Sequence, residues 1–378
     1  MKIAFIGQKG IPATYGGIEK FTDEVSTRLA AMGHRITVYA RSRYLDSLEK
    51  EQRSKLGVIT NRNFVWKKVL VRIVPSFPTK HLDAISHTVL CSLDALVRRY
   101  DAVVYQAIGP SSCSFIPRLL SRSKVIVIIH SLDWRRQKWG RLAQILLRAA
   151  EYPSTHFPHH LFVISGILQD YYRERRGRDS EVLPPGIEIS ENGPRKSLEG
   201  LGIERGKYVL FLNRIMPEKG CHYLLDAFSR VETNCRLVVA GDNSQEPDYF
   251  KKLMRDCRDK RIIFLGYVPK DVLSALYSNA FLYVLPSDVE GLPQTLLEAA
   301  AYGCPTLASD IPENMQTLCG QGLYFKHGDV ESLTESLKWA LSNPGGLRSM
   351  ADRVGTFVRH TYSWDRTCAV LLEGISHA

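Results

Sequence analysis

The residues best suited to chemistry lie in two short stretches of the second half of the chain. The first runs from Asn213 to Gly220, NRIMPEKG, directly after an apolar run that is typical of a buried strand. Pro217 favours the first turn of a helix, with Arg214 before it and Lys219 after it. Two cations beside a helix N-terminus can bind a diphosphate group. The alternative is salt bridging at the surface, which suits Lys219 alone better than the pair.

The second stretch contains two glutamates eight positions apart, Glu290 and Glu298. In one continuous helix they would lie about 80° apart, so they share a ligand more easily if Glu290 lies in the loop before the helix and Glu298 in its second turn. Because carboxylates accept hydrogen bonds from hydroxyls, we expect Glu290 to bind a sugar hydroxyl and Glu298 a ribose diol. The backbone at Gly291, Leu292 and Pro293 would then meet a phosphate. The alternative is that Glu290 caps a helix and Glu298 lies on a solvated face.

A weaker signal is the segment Gly266-Tyr267-Val268, which follows a predicted strand. We expect the backbone of Tyr267 and Val268 to hold the edge of a base, although many loops between a strand and a helix look alike. Cations for a diphosphate, together with carboxylates for two sets of hydroxyls, describe a site for a nucleotide-sugar.

Glycines near the N-terminus suggest a second phosphate-binding element. Gly7 and Gly10 follow the first apolar run, and Gly16 and Gly17 open a helix. A dinucleotide-binding fingerprint needs G-x-G-x-x-G and an acidic residue at the end of the second strand. The spacing differs here and residues 39–43 contain no carboxylate, which argues against a dehydrogenase. A glycine pair at a helix N-terminus lets backbone N–H groups approach a phosphate, unless it only forms the turn before the helix.

Alternating strands and helices must position these residues. Apolar runs predict strands at 3–6, 36–39, 102–105, 125–129, 161–164, 208–212, 236–240, 262–265, 281–285 and 306–308. Helical patterns between them predict an α/β fold with two doubly wound parallel sheets, that is, two Rossmann-like domains facing across a cleft. We expect domains at 1–185 and 186–360, divided in the polar stretch after Pro184. Ligands bind beyond the carboxyl ends of such strands, where His130 lies, although a lone histidine there is structural about as often as functional.

The charge of the chain is unevenly distributed. The formal net charge is +11, with 29 Lys and Arg against 15 Asp and Glu in residues 1–185 (+14), and 21 against 24 in residues 186–378 (−3). This asymmetry predicts an anionic partner for the first half, such as anionic lipid, a lipid-diphosphate acceptor or nucleic acid, unless the basic surface is merely solvated. No apolar run approaches the ~18 residues of a membrane span, and the eight cysteines form no C-x-x-C pair. We therefore expect a cytoplasmic protein with reduced thiols, able to contact a membrane from the inner side.

The motifs of the second half resemble those of family 4 retaining glycosyltransferases, which have the GT-B fold. The Glu290 to Glu298 spacing within EGLPQTLLEAAAYGCP is similar to the family signature, and Arg214 with Lys219 matches its phosphate-binding pair. Asn213 departs from the more usual glycine there. The resemblance implies transfer from a nucleotide-sugar with retention of configuration, by attack on the front face. It also implies a C-terminal helix, within 361–378, that crosses back onto the first domain.

Three stretches of the first half resemble a subgroup associated with cell-surface polysaccharide synthesis: GQKGIPATYGGIEKF, PSFPTKHLDAISHT and HSLDWRRQKWGRLA. By this resemblance Gly16 and Gly17 face the donor diphosphate, and His130 is the active-site histidine. Ser131 replaces the glycine that commonly follows that histidine. Asp133, Arg135 and Trp139 match the subgroup, and we place them on the acceptor side.

The cations can replace a divalent metal, and no D-x-D motif is present, so we expect neither a metal nor another cofactor. Two other functions remain open at this stage. One is a nucleotide-sugar epimerase or a phosphorylase on the same architecture, and an epimerase would act on the donor without an acceptor. The other is a non-catalytic basic module that binds a membrane or nucleic acid. The intact set of Arg214, Lys219, Glu290 and Glu298 speaks against that module and against nucleic acid as the partner. The segments 67–72 and 135–138 are the expected contacts with anionic lipid.

Overall fold

The computed structural model describes residues 1–13, 16–48, 53–60, 63–77, 83–135, 140–189, 198, 200–241 and 246–378. The chain divides into two compact units. The first contains Met1–Gly186 together with Trp364–Ala378, and the second contains Ile187–Ser363.

The first unit is built on a sheet of nine strands among its described residues. The strands are β1 (Lys2–Ile6), β2 (Arg35–Arg41), β3 (Gly57–Thr60), β4 (Asn63–Trp66), β5 (Val69–Val74), β6 (Ala102–Gln106), β7 (Lys124–Ile129), β8 (His160–Val163) and β9 (Glu181–Val182). Their order is β3-β4-β5-β2-β1-β6-β7-β8-β9. The strands from β5 to β9 in this order are parallel, and the order reverses between β1 and β6. Such a reversal opens a crevice at the carboxyl ends of the two strands.

The expected parallel sheet also has an antiparallel edge, formed by β3, β4 and β5, that the sequence analysis did not predict. A two-residue turn at Lys67-Lys68 joins β4 to β5, and both lysines have positive φ values, 44° and 69°. Tight hairpins need this backbone conformation but usually place Asn or Gly in it. The sequence analysis could not predict this turn, because two lysines occupy the positions where Asn or Gly is usual.

Helices cover the sheet of the first unit, and all but one of them, Arg141–His156, bury an apolar side. Their described bounds are α1 (Gly17–Ala31), α2 (Asp83–Arg98), α3 (Ile108–Ser111), α4 (Phe115–Leu120), α5 (Arg141–His156), α6 (Gly166–Arg176) and the C-terminal α14 (Trp364–His377). Helix α14 packs on α1, where the Trp364 ring lies 5.9 Å from that of Phe21. Thr367 of this helix also donates a hydrogen bond to the Pro184 carbonyl at 2.7 Å.

The second unit has a parallel sheet of six strands among its described residues. They are β10 (Tyr208–Leu212), β11 (Arg236–Ala240), β12 (Ile262–Gly266), β13 (Leu282–Leu285), β14 (Thr306–Ser309) and β15 (Leu323–Phe325). The order β12-β11-β10-β13-β14-β15 is that of a Rossmann sheet, with its reversal between β10 and β13. The helices are α7 (Cys221–Ser229), α8 (Pro247–Asp256), α9 (Lys270–Asn279), α10 (Gln294–Ala301), α11 (Pro312–Thr317), α12 (Val330–Ser342) and α13 (Pro344–Thr361). No helix of the described residues is long and apolar enough to cross a membrane.

Candidate active site

The reversal point of the second sheet brings together the chemically active residues of both stretches. Arg214 and Lys219 follow β10, and Glu290 follows β13, the strand that pairs with β10 in the sheet. The carboxyl ends of two adjacent parallel strands therefore carry two cations and a carboxylate. This is the position at which open α/β sheets bind their ligands.

Lys219 and Glu290 form a buried ion pair. The Lys219 ammonium lies 2.8 Å from Glu290 Oε1, and the two side chains are only 5% and 8% exposed. Lys219 also donates to the Val289 carbonyl at 3.1 Å, and the Ser287 hydroxyl donates to Glu290 Oε1 at 2.7 Å. The sequence analysis expected Lys219 and Glu290 each to contact the ligand. The structure shows in addition that they contact each other. Each charge is partly satisfied by the other, which holds both side chains in fixed positions.

Lys219 does not lie in the helix that the sequence predicts after Pro217. A single 3₁₀ turn covers Pro217–Lys219, and α7 starts only after Gly220, which has a φ of 68°. A side chain at Gly220 would collide with the Pro286 carbonyl, so glycine permits the loop after β10 to pass close to the loop after β13. The cation is therefore presented by a tight turn rather than by the first turn of α7.

The loop after β13 is fixed by polar contacts that the sequence analysis missed. The Asp288 backbone N–H donates to the Glu218 carbonyl at 2.9 Å, and Ser309 donates to the Ser287 carbonyl at 2.6 Å. The Asp288 carboxylate lies 2.8 Å from Nε2 of His327. These contacts tie three loops at the carboxyl edge of the sheet together. Ser287 and Asp288, which follow an apolar strand closely in the sequence, are the feature that could have predicted these contacts.

Arg214 is exposed at the end of β10. Its backbone N–H donates to the side-chain oxygen of Asn213 at 2.8 Å, while the Asn213 amide approaches the Thr295 hydroxyl at 3.5 Å. Thr295 lies in the first turn of α10 and also accepts a hydrogen bond from Tyr283 at 2.8 Å. Asn213, which replaces the more usual glycine, therefore links the strand end that carries Arg214 to the start of α10.

Glu298 lies in the second turn of α10 and Glu290 in the loop before it. The helix starts at Gln294, so Glu290 is too far upstream to cap it. Glu298 is half-buried and accepts a hydrogen bond from the Tyr277 hydroxyl at 3.3 Å. Burial, reinforced by the nearby Glu298 charge, raises the pKa of Tyr277 well above its usual value, so the hydroxyl stays a donor.

The other expected donor residues are dispersed around this edge. Gly291 is exposed, Leu292 packs against the core, and Pro293 is buried immediately before α10. The Tyr267 side chain is 79% exposed and Val268 packs against the core. They follow β12, which is separated from β10 by β11, or about 10 Å across the sheet. The structure therefore does not group Tyr267 and Val268 with the Lys219–Glu290 pair.

In the first unit, His130 follows β7 and contacts the end of β6. Its Nε2 lies 2.9 Å from Oε1 of the fully buried Gln106. The Gln106 amide nitrogen donates to Thr22 Oγ1 at 2.6 Å, and it approaches Gln8 Oε1 at 3.4 Å. The Phe21 ring meets the imidazole edge-on, with centroids 5.1 Å apart. The sequence analysis missed Gln8, Thr22 and Gln106, although a glutamine that ends an apolar strand is an unusual residue.

This network fixes the proton on one imidazole nitrogen. Thr22 donates its own hydroxyl proton to the Ile18 carbonyl at 2.7 Å, so it can only accept from Gln106. Gln8 donates from its amide to two backbone carbonyls at 3.0 Å, which turns its oxygen toward Gln106. The Gln106 oxygen must therefore face His130, and an oxygen acceptor requires a proton on Nε2. A neutral His130 is then the Nε2–H tautomer, with its lone pair on Nδ1.

Helix α1 starts at Gly17, and Gly16 precedes it with a φ of 106°, which favours glycine. The Glu19 carboxylate lies in the first turn and accepts a hydrogen bond from the Lys9 backbone N–H at 3.0 Å. The sequence analysis missed Glu19. A phosphate at this N-terminus would meet a carboxylate as well as backbone donors, so its binding is weaker than the glycines alone indicate.

The expected acceptor-side residues begin in a one-turn helix, Asp133–Arg135. Asp133 accepts a hydrogen bond from Ser131 at 3.1 Å. The side chain of Arg135 and all of Trp139 lie outside the described residues. The neighbouring Trp134 was missed; its indole N–H donates to Glu151 at 3.0 Å. Among the described residues, no group of three or more His, Cys, Asp and Glu side chains could hold a metal ion.

Two family models match the chain and together cover most of it. The model described as "Glycosyltransferase Family 4" matches residues 15–191, and that described as "Glycosyl transferases group 1" matches residues 195–358. Among curated proteins, a glycosyltransferase of Methanocaldococcus jannaschii is 29% identical over 164 residues, 42% of both this chain and the relative. The O-antigen chain mannosyltransferase B of Escherichia coli is 29% identical over 163 residues, again 42% of each. The aligned regions thus cover less than half of these relatives.

Solved structures match nearly the whole chain. Sucrose-phosphate synthase from Thermosynechococcus elongatus has a TM-score of 0.80 at 18% identity, covering 98% of this chain and 97% of that one. The Anabaena protein Alr3699/HepE, in complex with UDP-glucose, has a TM-score of 0.78 at 18% identity and covers all of both chains. At this identity the likeness shows the fold, which is GT-B. With the family models matching both halves, the chain belongs to the family 4 glycosyltransferases.

Proposed function

We propose that this glycosyltransferase moves a sugar from a nucleotide-sugar to a glycan or lipid-diphosphate-linked acceptor, with retention of configuration, in cell-surface polysaccharide synthesis. One observation carries the proposal: Arg214, Lys219 and Glu290 follow the ends of β10 and β13, at the reversal point of the sheet, and Lys219 contacts Glu290 there. The bound UDP-glucose of the Anabaena protein and the O-antigen name of the E. coli relative support the donor and acceptor classes.

In this proposal Arg214 and Lys219 stabilise the negative charge that grows on the departing diphosphate. Such preorganised electrostatic stabilisation is a large term in catalysis. Glu290 accepts a hydrogen bond from a hydroxyl of the donor sugar, and Glu298 binds the ribose. His130, held in place by its hydrogen bond to Gln106, positions the sugar, while Gly16 and Gly17 approach the diphosphate.

Glycosyl transfer passes through a transition state with oxocarbenium character. Retention without a covalent intermediate requires the acceptor hydroxyl to attack from the face that the diphosphate leaves. The bond from the anomeric carbon to the diphosphate oxygen breaks as the bond to the acceptor oxygen forms, and the acceptor proton passes to the departing diphosphate. We assign Asp133, Arg135 and Trp139 to the acceptor side, and place the protein in the cytoplasm at the inner face of the membrane.

The test is to incubate the protein with UDP-, GDP- and dTDP-sugars, with and without lipid-diphosphate glycans, and to determine the anomeric configuration of the product by NMR. Retention, with nucleoside diphosphate release that needs the acceptor, supports the proposal. Inversion, or conversion of the donor alone, contradicts it and favours an epimerase. Because the two cations replace a metal, activity should persist in a chelator. Loss of activity that Mn²⁺ restores would refute metal independence.

A further inference from the structure

Helix α5 turns its apolar side chains outward. Leu142, Ile145, Leu146 and Tyr152 are 72%, 63%, 62% and 60% exposed. Their spacing of three and four residues, with Tyr152 six positions further on, places them along one side of the helix. Surface helices of globular proteins normally bury such a stripe. An apolar stripe that faces solvent therefore needs a partner of its own.

The buried side of α5 is polar instead. Glu151 is fully buried, together with Ser154 and Thr155. Its carboxylate forms an ion pair with Arg176 and accepts the Trp134 indole N–H at 3.0 Å. These contacts fix the rotation of the helix about its axis. A half-turn would move Glu151 into water and separate it from Arg176 and Trp134. The outward direction of the apolar stripe is thus held by α5's own packing.

Cations accompany the exposed apolar stripe. Arg141 and Arg148 are exposed, and the Arg148 guanidinium lies 4.2 Å above the Trp134 ring. Glu151, the only acidic residue in the sequence of α5, is buried, so α5 itself presents no carboxylate beside these charges on its exposed side. The short helix α4 repeats the pattern, with Leu119 and Leu120 each 67% exposed beside an exposed Arg118.

We infer that the exposed side of α5 (Arg141, Leu142, Ile145, Leu146, Arg148 and Tyr152) lies in the interface of an anionic lipid bilayer. A helix with apolar residues and arginines on its exposed side inserts its apolar groups among the acyl chains, while the cations meet anionic headgroups. The +14 charge of residues 1–185 favours the same partner. The inference rests on the membrane contact within the proposed function, and it places that contact on α5 rather than on the Lys67-Lys68 turn.

Flotation with liposomes of phosphatidylglycerol and phosphatidylcholine tests the apolar part. Replacing Leu142, Ile145 and Leu146 by serine should lower the partition coefficient about a hundredfold, since roughly half of each side chain is available for burial. The matched control replaces three exposed apolar residues of the second unit, Met254, Met315 and Trp339, by serine. We expect this control to bind vesicles like the wild-type protein.

A second pair of variants tests the charge. Arg141→Gln and Arg148→Gln should each weaken binding to anionic vesicles about fivefold. On vesicles of phosphatidylcholine alone, each variant should bind like the wild-type protein. Equal vesicle binding by the wild type and the α5 triple variant overturns the inference. If Lys67→Gln/Lys68→Gln alone abolishes binding, membrane contact stands but α5 is the wrong surface.

The inference is also overturned if neither protein binds vesicles and the wild-type protein forms a dimer that the α5 triple variant does not form. That result would assign the surface to contact with a second copy of the chain. Nucleoside diphosphate binding by the triple variant separates these results from a failure of the proposed reaction. That binding should be unchanged, because none of the residues that we assign to the nucleoside diphosphate lies in α5.

Discussion

Gln106 should control which nitrogen of His130 carries the proton. In Gln106→Leu the imidazole loses its acceptor, and Thr22 Oγ1 loses its donor, at a site where Gln106 is fully buried. Thr22 is fully buried and His130 is half-buried, so leaving both unsatisfied corresponds to a loss of about 2–4 kcal/mol in the free energy of unfolding. A hydrogen bond worth about 1 kcal/mol also biases the tautomers about fivefold. We therefore expect mainly the Nε2–H form in the wild type and a mixture in Gln106→Leu.

The assay is long-range ¹H–¹⁵N correlation spectroscopy of labelled imidazoles above pH 7, with the His130 signals assigned from a His130→Gln variant. Gln106→Glu is the matched control, because its carboxylate still accepts from Nε2–H although it cannot donate to Thr22. The Nε2–H tautomer should return in this variant while the stability loss remains in part. A wild-type His130 protonated on Nδ1 alone, or an unchanged tautomer ratio in Gln106→Leu, would refute the reasoning.

Two further predictions concern buried titratable groups. Lys219→Met and Glu290→Leu should each lower the free energy of unfolding of the second unit by about 3–5 kcal/mol, because each leaves a buried charge without its partner. The double variant should recover most of this loss. Hydrogen exchange in β10 and β13 measures the stability of each variant, and additive losses in the double variant would contradict the prediction. Burial lowers the pKa of His87 to about 4, so its contribution to stability is complete above pH 6.5 and decreases as the pH falls toward 4, by about 3 kcal/mol in total. Urea unfolding across this range should show a flatter profile for His87→Gln than for the exposed control His156→Gln, and equal slopes would count against the assignment.

Much of the framework could be predicted because local signals agree with the fold. Continuous apolar runs predicted ten strands of the two sheets, whereas β3, β4, β5, β9 and β15 were not predicted. Gly291 with Pro293 correctly predicted a loop at Glu290 and a helix at Glu298. The family resemblance and the GT-B fold were confirmed by the comparisons. These features depend on periodicity and on a few residues with strong backbone preferences.

The contacts that complete the candidate site depend instead on strand order. Lys219 meets Glu290 because β13 pairs with β10, although two strands intervene in the sequence. The network of Gln8, Thr22 and Gln106 likewise spans the reversal between β1 and β6. No local pattern encodes which strands become neighbours, so the partners of each candidate residue could not be read from spacing alone.

The most direct test of the central claim is thermal unfolding of the protein with UDP, GDP, dTDP, CMP and NADP, for the wild type and for Arg214→Ala. Arg214 is exposed, so the variant should fold. A ligand at about one hundred times its dissociation constant adds about 2.7 kcal/mol of stability. We predict that at least one nucleoside diphosphate stabilises the wild type and loses most of this effect in Arg214→Ala. Stabilisation by NADP alone, or by none of the nucleotides, would contradict a nucleotide-sugar site at the ends of β10 and β13.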